Sequence, residues 1–282
     1  MTASPPSCDW SGRGPATTLC CALMFNQQFL DPISIPGVFV LIVVLLLAAY
    51  EVGFRIGRWW QIRTPEETEG PTDALVGSII AFLAFLLAIT MGMASDRFDA
   101  RRALVLDEAN AIHTAYLRAG YIPEPYSDES RKLLREYAPL RVNPNDPVLL
   151  AGNLARSLEI QGQLWAMVEE MAKTESSDVF ALYIESVNDV IDANEARATA
   201  LVNARVPETV VILLILGAGI TLGMVGYSSG LTRRRSPLTA VVLVVLLGVV
   251  LTLVIDLDRP RNGFIQVSQQ PILDVMTQIG PP

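Results

Sequence analysis

Four stretches of this chain are too long and too apolar for the interior of a water-soluble fold. Ile35 to Phe54 carries a single charge, Glu51, while Ala74 to Ala94, Thr209 to Tyr227 and Leu238 to Ile255 carry none. An α-helix rises about 1.5 Å per residue, so roughly 20 apolar residues cross the hydrocarbon of a bilayer. In lipid no water satisfies a bare peptide group, which leaves helices and closed barrels as the only spanning structures. Barrel strands alternate apolar and polar residues, and these runs do not. The expected fold class is all-α: a multi-pass membrane protein with four transmembrane helices in two hairpins and an inserted helical-bundle domain. The lipid bilayer is then the first partner, and the cell membrane the location.

The rest of the composition narrows the chemistry. Apolar residues make up 51% of the chain, and the net charge is −8. Nucleic-acid binding needs a cationic surface to displace counterions, so no nucleic-acid partner is expected. Three cysteines, Cys8, Cys20 and Cys21, do not frame a disulfide scaffold, and the one histidine, His113, does not make a metal site. No metal, cofactor or catalytic residue is expected, and no nucleophile elbow or phosphate-binding loop occurs, so the chain does not read as an enzyme.

Residues 1–34, rich in Pro, Ser, Gly and Thr, read as a flexible N-terminal tail. The apolar stretch Ala16 to Phe25 is too short and too weakly flanked by basic charge for a secretory signal, and translation starts at either Met1 or Met24. Residues 35–94 form transmembrane hairpin 1, 95–207 a helical soluble domain, 208–256 transmembrane hairpin 2, and 257–282 a C-terminal tail. Within the soluble domain, Phe98, Val105, Ala109, Ile112 and Tyr116 recur at helical spacing, so the second span continues as one helix to about Gly120. Ser127 reads as the N-cap of a short helix bearing Leu133, Leu134, Tyr137 and Leu140. Pro147 opens the next helix, and Val179, Leu182, Tyr183, Val187, Val190 and Ile191 give the last its apolar face. Pro207 interrupts the chain just before the third span.

The arginine count leans towards a helical domain outside the cytoplasm. The two short loops hold Arg55, Arg58 and Arg63, and Arg233 to Arg235, which favours loops in the cytoplasm and the helical domain outside. Arg97, Arg101, Arg102, Arg205, Arg259 and Arg261 weight the other side.

Three constellations could carry function. In the second span, Phe82, Phe85 and Ile89 share one helical stripe, which is either lipid-facing or, in a ring of subunits, a hydrophobic pore constriction that gates by dewetting. In the soluble domain, Glu108 falls within the apolar spacing; facing the bundle it would need a cation such as Arg118, Arg197 or Arg205, and His113 completes a candidate buried polar network with Glu108, Arg118 and Arg205. At the end of the fourth span, Asp256, Asp258, Arg259 and Pro260 form a membrane-boundary motif, read as a structural anchor or as an ion-attracting vestibule. Beyond them, Asn262-Gly263 signals a turn, and Phe264 to Val267 an extended piece folding back. The run GAGITLG at 217–223 mimics a dinucleotide loop, but inside an apolar span Gly219, Gly223 and Gly226 read as a helix-packing surface.

The chain also resembles a known family. The segment DRFDARRALVLDEANAI at 96–112, AYLRA at 115–119, NARVPE before the third span and DLDRPRNG at 256–263 are similar to those of bestrophin-like proteins, mostly bacterial membrane proteins without assigned function. The likeness covers roughly residues 36 to 275. Bestrophins themselves are pentameric anion channels whose second helix lines the pore, so the resemblance implies a homo-oligomer, chloride or another small anion as the transported species, and a neck near Phe82, Phe85 and Ile89. It also implies a cytoplasmic helical domain, against the arginine count of the loops. No acidic calcium-binding segment is recognisable. The expected function is therefore a bestrophin-like membrane protein acting as an oligomeric anion channel. The alternative is a non-transporting sensor or scaffold whose helical domain binds a protein partner.

Overall fold

The computed structural model describes residues 29–63, 70–142, 147–203, 205–232, 237–259 and 263–281. Among them are eight α-helices, one 3₁₀ turn and no strand: α1 (Ile35–Arg63), α2 (Gly70–Arg118), the 3₁₀ turn Ala119–Tyr121, α3 (Tyr126–Leu140), α4 (Pro147–Met171), α5 (Asp178–Asn203), α6 (Glu208–Leu231), α7 (Pro237–Asp258) and α8 (Gln270–Ile279). Four of them, α1, α2, α6 and α7, are long and apolar enough to cross a membrane. The all-helical fold class with four spans is thus the one seen. The residues fall into two compact units, one of Gln28–Phe98 with Arg205–Gln266, the other built on Asp99–Ala204 with Val267–Pro282.

The first unit holds the spans. Val38, Ile42 and Leu46 of α1 are buried at intervals of four, and Val211, Leu214, Ala218 and Leu222 of α6 at three and four. The remaining apolar surface faces outwards, as at Val40, Leu41 and Val44 of α1 or Leu213, Leu216 and Ile220 of α6. A helix that is greasy all round and buried along one stripe is what a lipid-immersed helix looks like.

The closest packing is between α1 and α6, and glycine makes it possible. A Cβ on Gly53 would stand 1.9 Å from the Gly223 carbonyl oxygen, and one on Gly57 would stand 2.2 Å from that of Tyr227. Reciprocally, a Cβ on Gly226 would meet the Tyr50 carbonyl oxygen at 2.1 Å, and one on Gly230 that of Phe54 at 2.5 Å. Position numbers rise together along both helices, so α1 and α6 run parallel, backbone against backbone, through paired small-x3-small motifs. The sequence pointed to Gly219, Gly223 and Gly226, yet Cβ atoms on Gly219 and Gly223 would lie at 4.0 and 3.6 Å from their nearest neighbours, an ordinary contact. The close approach is centred about a turn further on, because the partner glycines Gly53 and Gly57 set its register.

The second unit is a helical bundle. Val105, Ala109, Ile112 and Ala115 of α2 pack with Leu134 and Tyr137 of α3, Ile160 and Leu164 of α4, and Tyr183, Val187 and Val190 of α5. Helix α3 begins at Tyr126 rather than after a Ser127 cap: the Ser127 N–H already donates to the Pro123 carbonyl at 3.3 Å, and the serine is buried in the first turn. On α5, Tyr183, Val187 and Val190 of the expected face are buried and Ile191 packs beside them, while at its start Phe180 is buried in place of Val179 and Leu182, which are 46% and 47% exposed. In the stretch read as a C-terminal tail, α8 places Ile272, Val275 and Ile279 in this core at three- and four-residue spacing. The N-terminal residues before 29, Pro260, and the Asn262 of the turn signal lie outside the described residues.

Substituting Gly226 by alanine drives a methyl into a backbone carbonyl that cannot move alone. It is expected to destabilise the span unit by about 1–3 kcal/mol or more, the usual range for overpacking, read as a lower thermal midpoint in detergent. Gly77, with nothing within 4 Å of its Cβ position, should accept alanine without loss.

Candidate functional site

Phe82, Phe85 and Ile89 are placed by the three- and four-residue spacing on one face of α2. They are 62%, 61% and 46% exposed on the single protomer. Ser78 lies on the same face, its hydroxyl donating to the Ala74 carbonyl at 2.9 Å, so the only polar group of this stripe is satisfied within its own helix. The opposite edge of α2 carries the buried Leu83, Leu87, Thr90 and Ala94, with the Thr90 hydroxyl donating to the Leu86 carbonyl at 2.7 Å. Helix α2 is held along that side, where Leu86, Met91 and Phe98 also pack against the core, while the Phe82 and Phe85 rings are exposed.

In the same unit a compact charge cluster joins three segments. Arg205, just ahead of α6, forks onto Asp31 with Nη1–Oδ2 and Nη2–Oδ1 at 2.7 and 2.9 Å, and its Nε stands 3.6 Å from Asp258. Asp258 accepts the Val206 N–H at 2.6 Å. Arg259 donates to the Ile33 carbonyl at 2.8 Å and to that of Leu30, and Arg97 donates to the Arg205 carbonyl. Asp256, buried in the last turn of α7, accepts the Phe264 and Ile265 N–H groups at 2.8 and 3.0 Å. A Cβ on Gly263 would sit 2.5 Å from the Asp256 carboxylate, so this fold-back needs glycine there. These carboxylates and guanidiniums are occupied by one another and by backbone groups, which is the chemistry of a clasp. Asp31, in the stretch read as a flexible tail, carries no periodic or motif signal that could have marked it.

The helical unit has its own cluster. Glu108, fully buried, accepts from Arg141 Nε on one carboxylate oxygen and from Arg197 Nη1 on the other. Arg197 also donates to the Arg141 carbonyl at 3.1 Å and to Gln269 Oε1 at 2.6 Å, just before α8. Burial works against the charge of Arg141, but the Glu108 carboxylate beside it holds its pKa above the ordinary value. Tyr137 lies under the Arg141 guanidinium, 5.7 Å from Cζ to ring centroid, and accepts from Gln161 Nε2 at 3.0 Å. Burial pushes its phenol up to about 12, the Arg141 charge opposing and the Glu108 charge assisting.

Only one of the three cations expected for Glu108, Arg197, is its partner, and the four-residue network is not assembled. Arg118 donates to the Leu182 carbonyl at 2.7 Å and lies 3.4 Å from Glu185. Arg205 belongs to the clasp, and His113 is half-buried, its side chain without a hydrogen bond among the described residues. Helical rotation is the reason: at about 100° per residue, His113 and Arg118 are turned roughly 140° and 80° from Glu108. Arg141 and Gln269 were missed because they lie at helix margins, where no apolar period marks them. Among the described residues no three His, Cys, Asp or Glu side chains gather as metal ligands.

Replacing Glu108 by glutamine strands two guanidiniums inside the bundle. A loss of about 3–5 kcal/mol is expected, the cost of breaking a buried ion pair from one side, detectable as faster proteolysis of the helical unit.

A family model described as the bestrophin-like domain matches residues 43–272. Among solved structures, the chain is similar to a point variant of a bacterial bestrophin homologue from Klebsiella pneumoniae, at a TM-score of 0.60 and 16% identity over 87% of this chain and 96% of that one. A second variant of that homologue gives 0.59 and 17% identity over 86% and 98%. Another, described only as a membrane protein, gives 0.61 and 14% over 85% and 99%. No curated protein sequence matches. At these identities the solved structures show a shared fold, and the match to the family model covers most of the chain. The chain belongs to the bestrophin-like family of membrane proteins.

Proposed function

We propose that the protein is an anion-conducting channel, formed by a ring of copies in which α2 of each protomer lines the pore and Phe82, Phe85 and Ile89 make its constriction. The observation that carries this reading is the outward aromatic stripe on a helix held along one side. Brought together around an axis, such stripes enclose a narrow apolar passage that stays dry until it widens. A second observation supports assembly. In the helical unit, Leu106, Leu117 and Tyr121, on or just beyond α2, are exposed, as are Val179 and Leu182 of α5. The segments that carry them lack the uninterrupted apolar length of a span, so a protein neighbour is their natural cover. Asp31, Arg205, Asp258 and Arg259 are tied up in the clasp, and the stripe itself between Phe82 and Ile89 carries no charge, which leaves the apolar neck as the barrier.

Exposed Val179 and Leu182 also suit a second reading, a scaffold whose helical unit docks a different protein. The two part on assembly and current. A channel gives a defined homo-oligomer in detergent and anion current in planar bilayers, and Phe85→Ala, by widening and wetting the neck, should raise that current several-fold. A monomer that passes no current at any voltage would overturn the channel.

A further inference from the structure

Among the described residues, most arginines of the folded interior donate to protein acceptors. Arg97, Arg118, Arg141, Arg156, Arg197, Arg205 and Arg259 each donate to a carboxylate or carbonyl. Arg131 of α3 is half-buried, yet among the described residues it makes no hydrogen bond or ion pair, and its Nε is buried without an acceptor. Its guanidinium lies 5.4 Å from the Tyr116 ring centroid. That of Arg135, one turn on, lies 5.3 Å from the same ring. Arg135 uses Nε on the Ile279 carbonyl at 2.9 Å and Nη2 on the Tyr116 hydroxyl at 2.6 Å, which leaves Nη1.

Among the described residues no carboxylate forms an ion pair with either arginine. Glu129 lies against Lys132 at 3.7 Å, and Glu136 against Arg156 at 2.7 Å. Gly120 makes room for the guanidinium tip, since a Cβ there would stand 2.2 Å from Arg131 Nη2. Two like charges beside one ring repel, and a buried donor without an acceptor costs stability. An oxyanion offsets the repulsion, and its oxygens match the parallel N–H groups of a guanidinium better than a spherical halide does.

We infer that Arg131 and Arg135, on either side of Tyr116 in the helical unit, form a binding site for a phosphate-type oxyanion. Arg131 supplies its two Nη groups and Arg135 its remaining Nη1. The site lies between the end of α2, the first turns of α3 and the C-terminal end of α8, and it does not depend on the channel reading.

The test is thermal unfolding of the purified full chain in neutral detergent, with inorganic phosphate replacing chloride at fixed ionic strength. The midpoint should rise saturably with phosphate, as a ligand that binds the folded state alone requires. Arg131→Gln should need about tenfold more phosphate for the same rise, the loss of one charge-assisted fork. Gly120→Ala provides the second variant: it displaces the guanidinium tip, keeps the charge, and should blunt the response with little change in the phosphate-free midpoint. A lipid headgroup as the source is tested in phosphate-free nanodiscs, where phosphatidylglycerol added to phosphatidylcholine should then raise the midpoint of the unaltered chain and not of Arg131→Gln. If neither phosphate nor phosphatidylglycerol shifts the midpoint, or if the variants respond as the unaltered chain does, the arginines merely clamp Tyr116 and the site does not exist.

Discussion

Helices immersed in hydrocarbon gain nothing by hiding apolar side chains from it, since the surroundings are as greasy as the side chains themselves. What remains to hold them is close contact, and α1 and α6 achieve it by bringing main chain against main chain at Gly53, Gly57, Gly226 and Gly230. Dispersion forces fall off steeply with separation, so an approach of backbone to backbone is worth more here than bulky interdigitation. The rest of the span unit is arranged around that parallel pair: α7 lies on α1, with Gly248 making room for Phe39 and Val43. Helix α2 is attached along one side. The tightness of one contact leaves the other helix with a free face, and that free face is where the proposed pore lies.

Charge is handled in the opposite manner. Each cluster collects acids and guanidiniums from segments far apart in the chain: Asp31, Arg205 and Asp258 in the span unit, Glu108, Arg141 and Arg197 in the helical unit. A desolvated charge is tolerated only with an opposite charge and hydrogen bonds that saturate it. The clasp meets this condition by gathering the segments before α1 and α6 to the end of α7, and the Glu108 cluster by drawing in Gln269 ahead of α8. Both clusters are directional where the spans' packing is not, so they fix geometry that lipid-facing surfaces leave unspecified. Arg131 and Arg135 depart from this pattern, which is why they suggest a ligand rather than a structural bond.

Much of the architecture was legible in the residue order. Uninterrupted apolar runs mark α1, α2, α6 and α7 because a membrane imposes both length and polarity on a helix. Periodicity carried α2 well past its span, Pro147 opened α4, and Pro207 stood at the break before α6. Helix α8 went unread because ten residues with three buried apolar positions are a weak signal in a proline- and glycine-flanked segment. Only the first turn of α5 departed from its expected face, for a related reason: Val179 and Phe180 are both apolar, and only the packing selects between neighbours.

The sequence by itself determined that the chain crosses a membrane in helices and carries a helical insertion, since these follow from hydrophobicity and period, properties each segment has alone. Tertiary structure decided which glycines touch, which cation answers Glu108, and that Phe82 and Phe85 stand uncovered. Those outcomes depend on the rotation of one helix against another. A single residue of rotational offset, about 100°, replaces a buried partner with an exposed one, and no local stretch of sequence encodes where its neighbour will be.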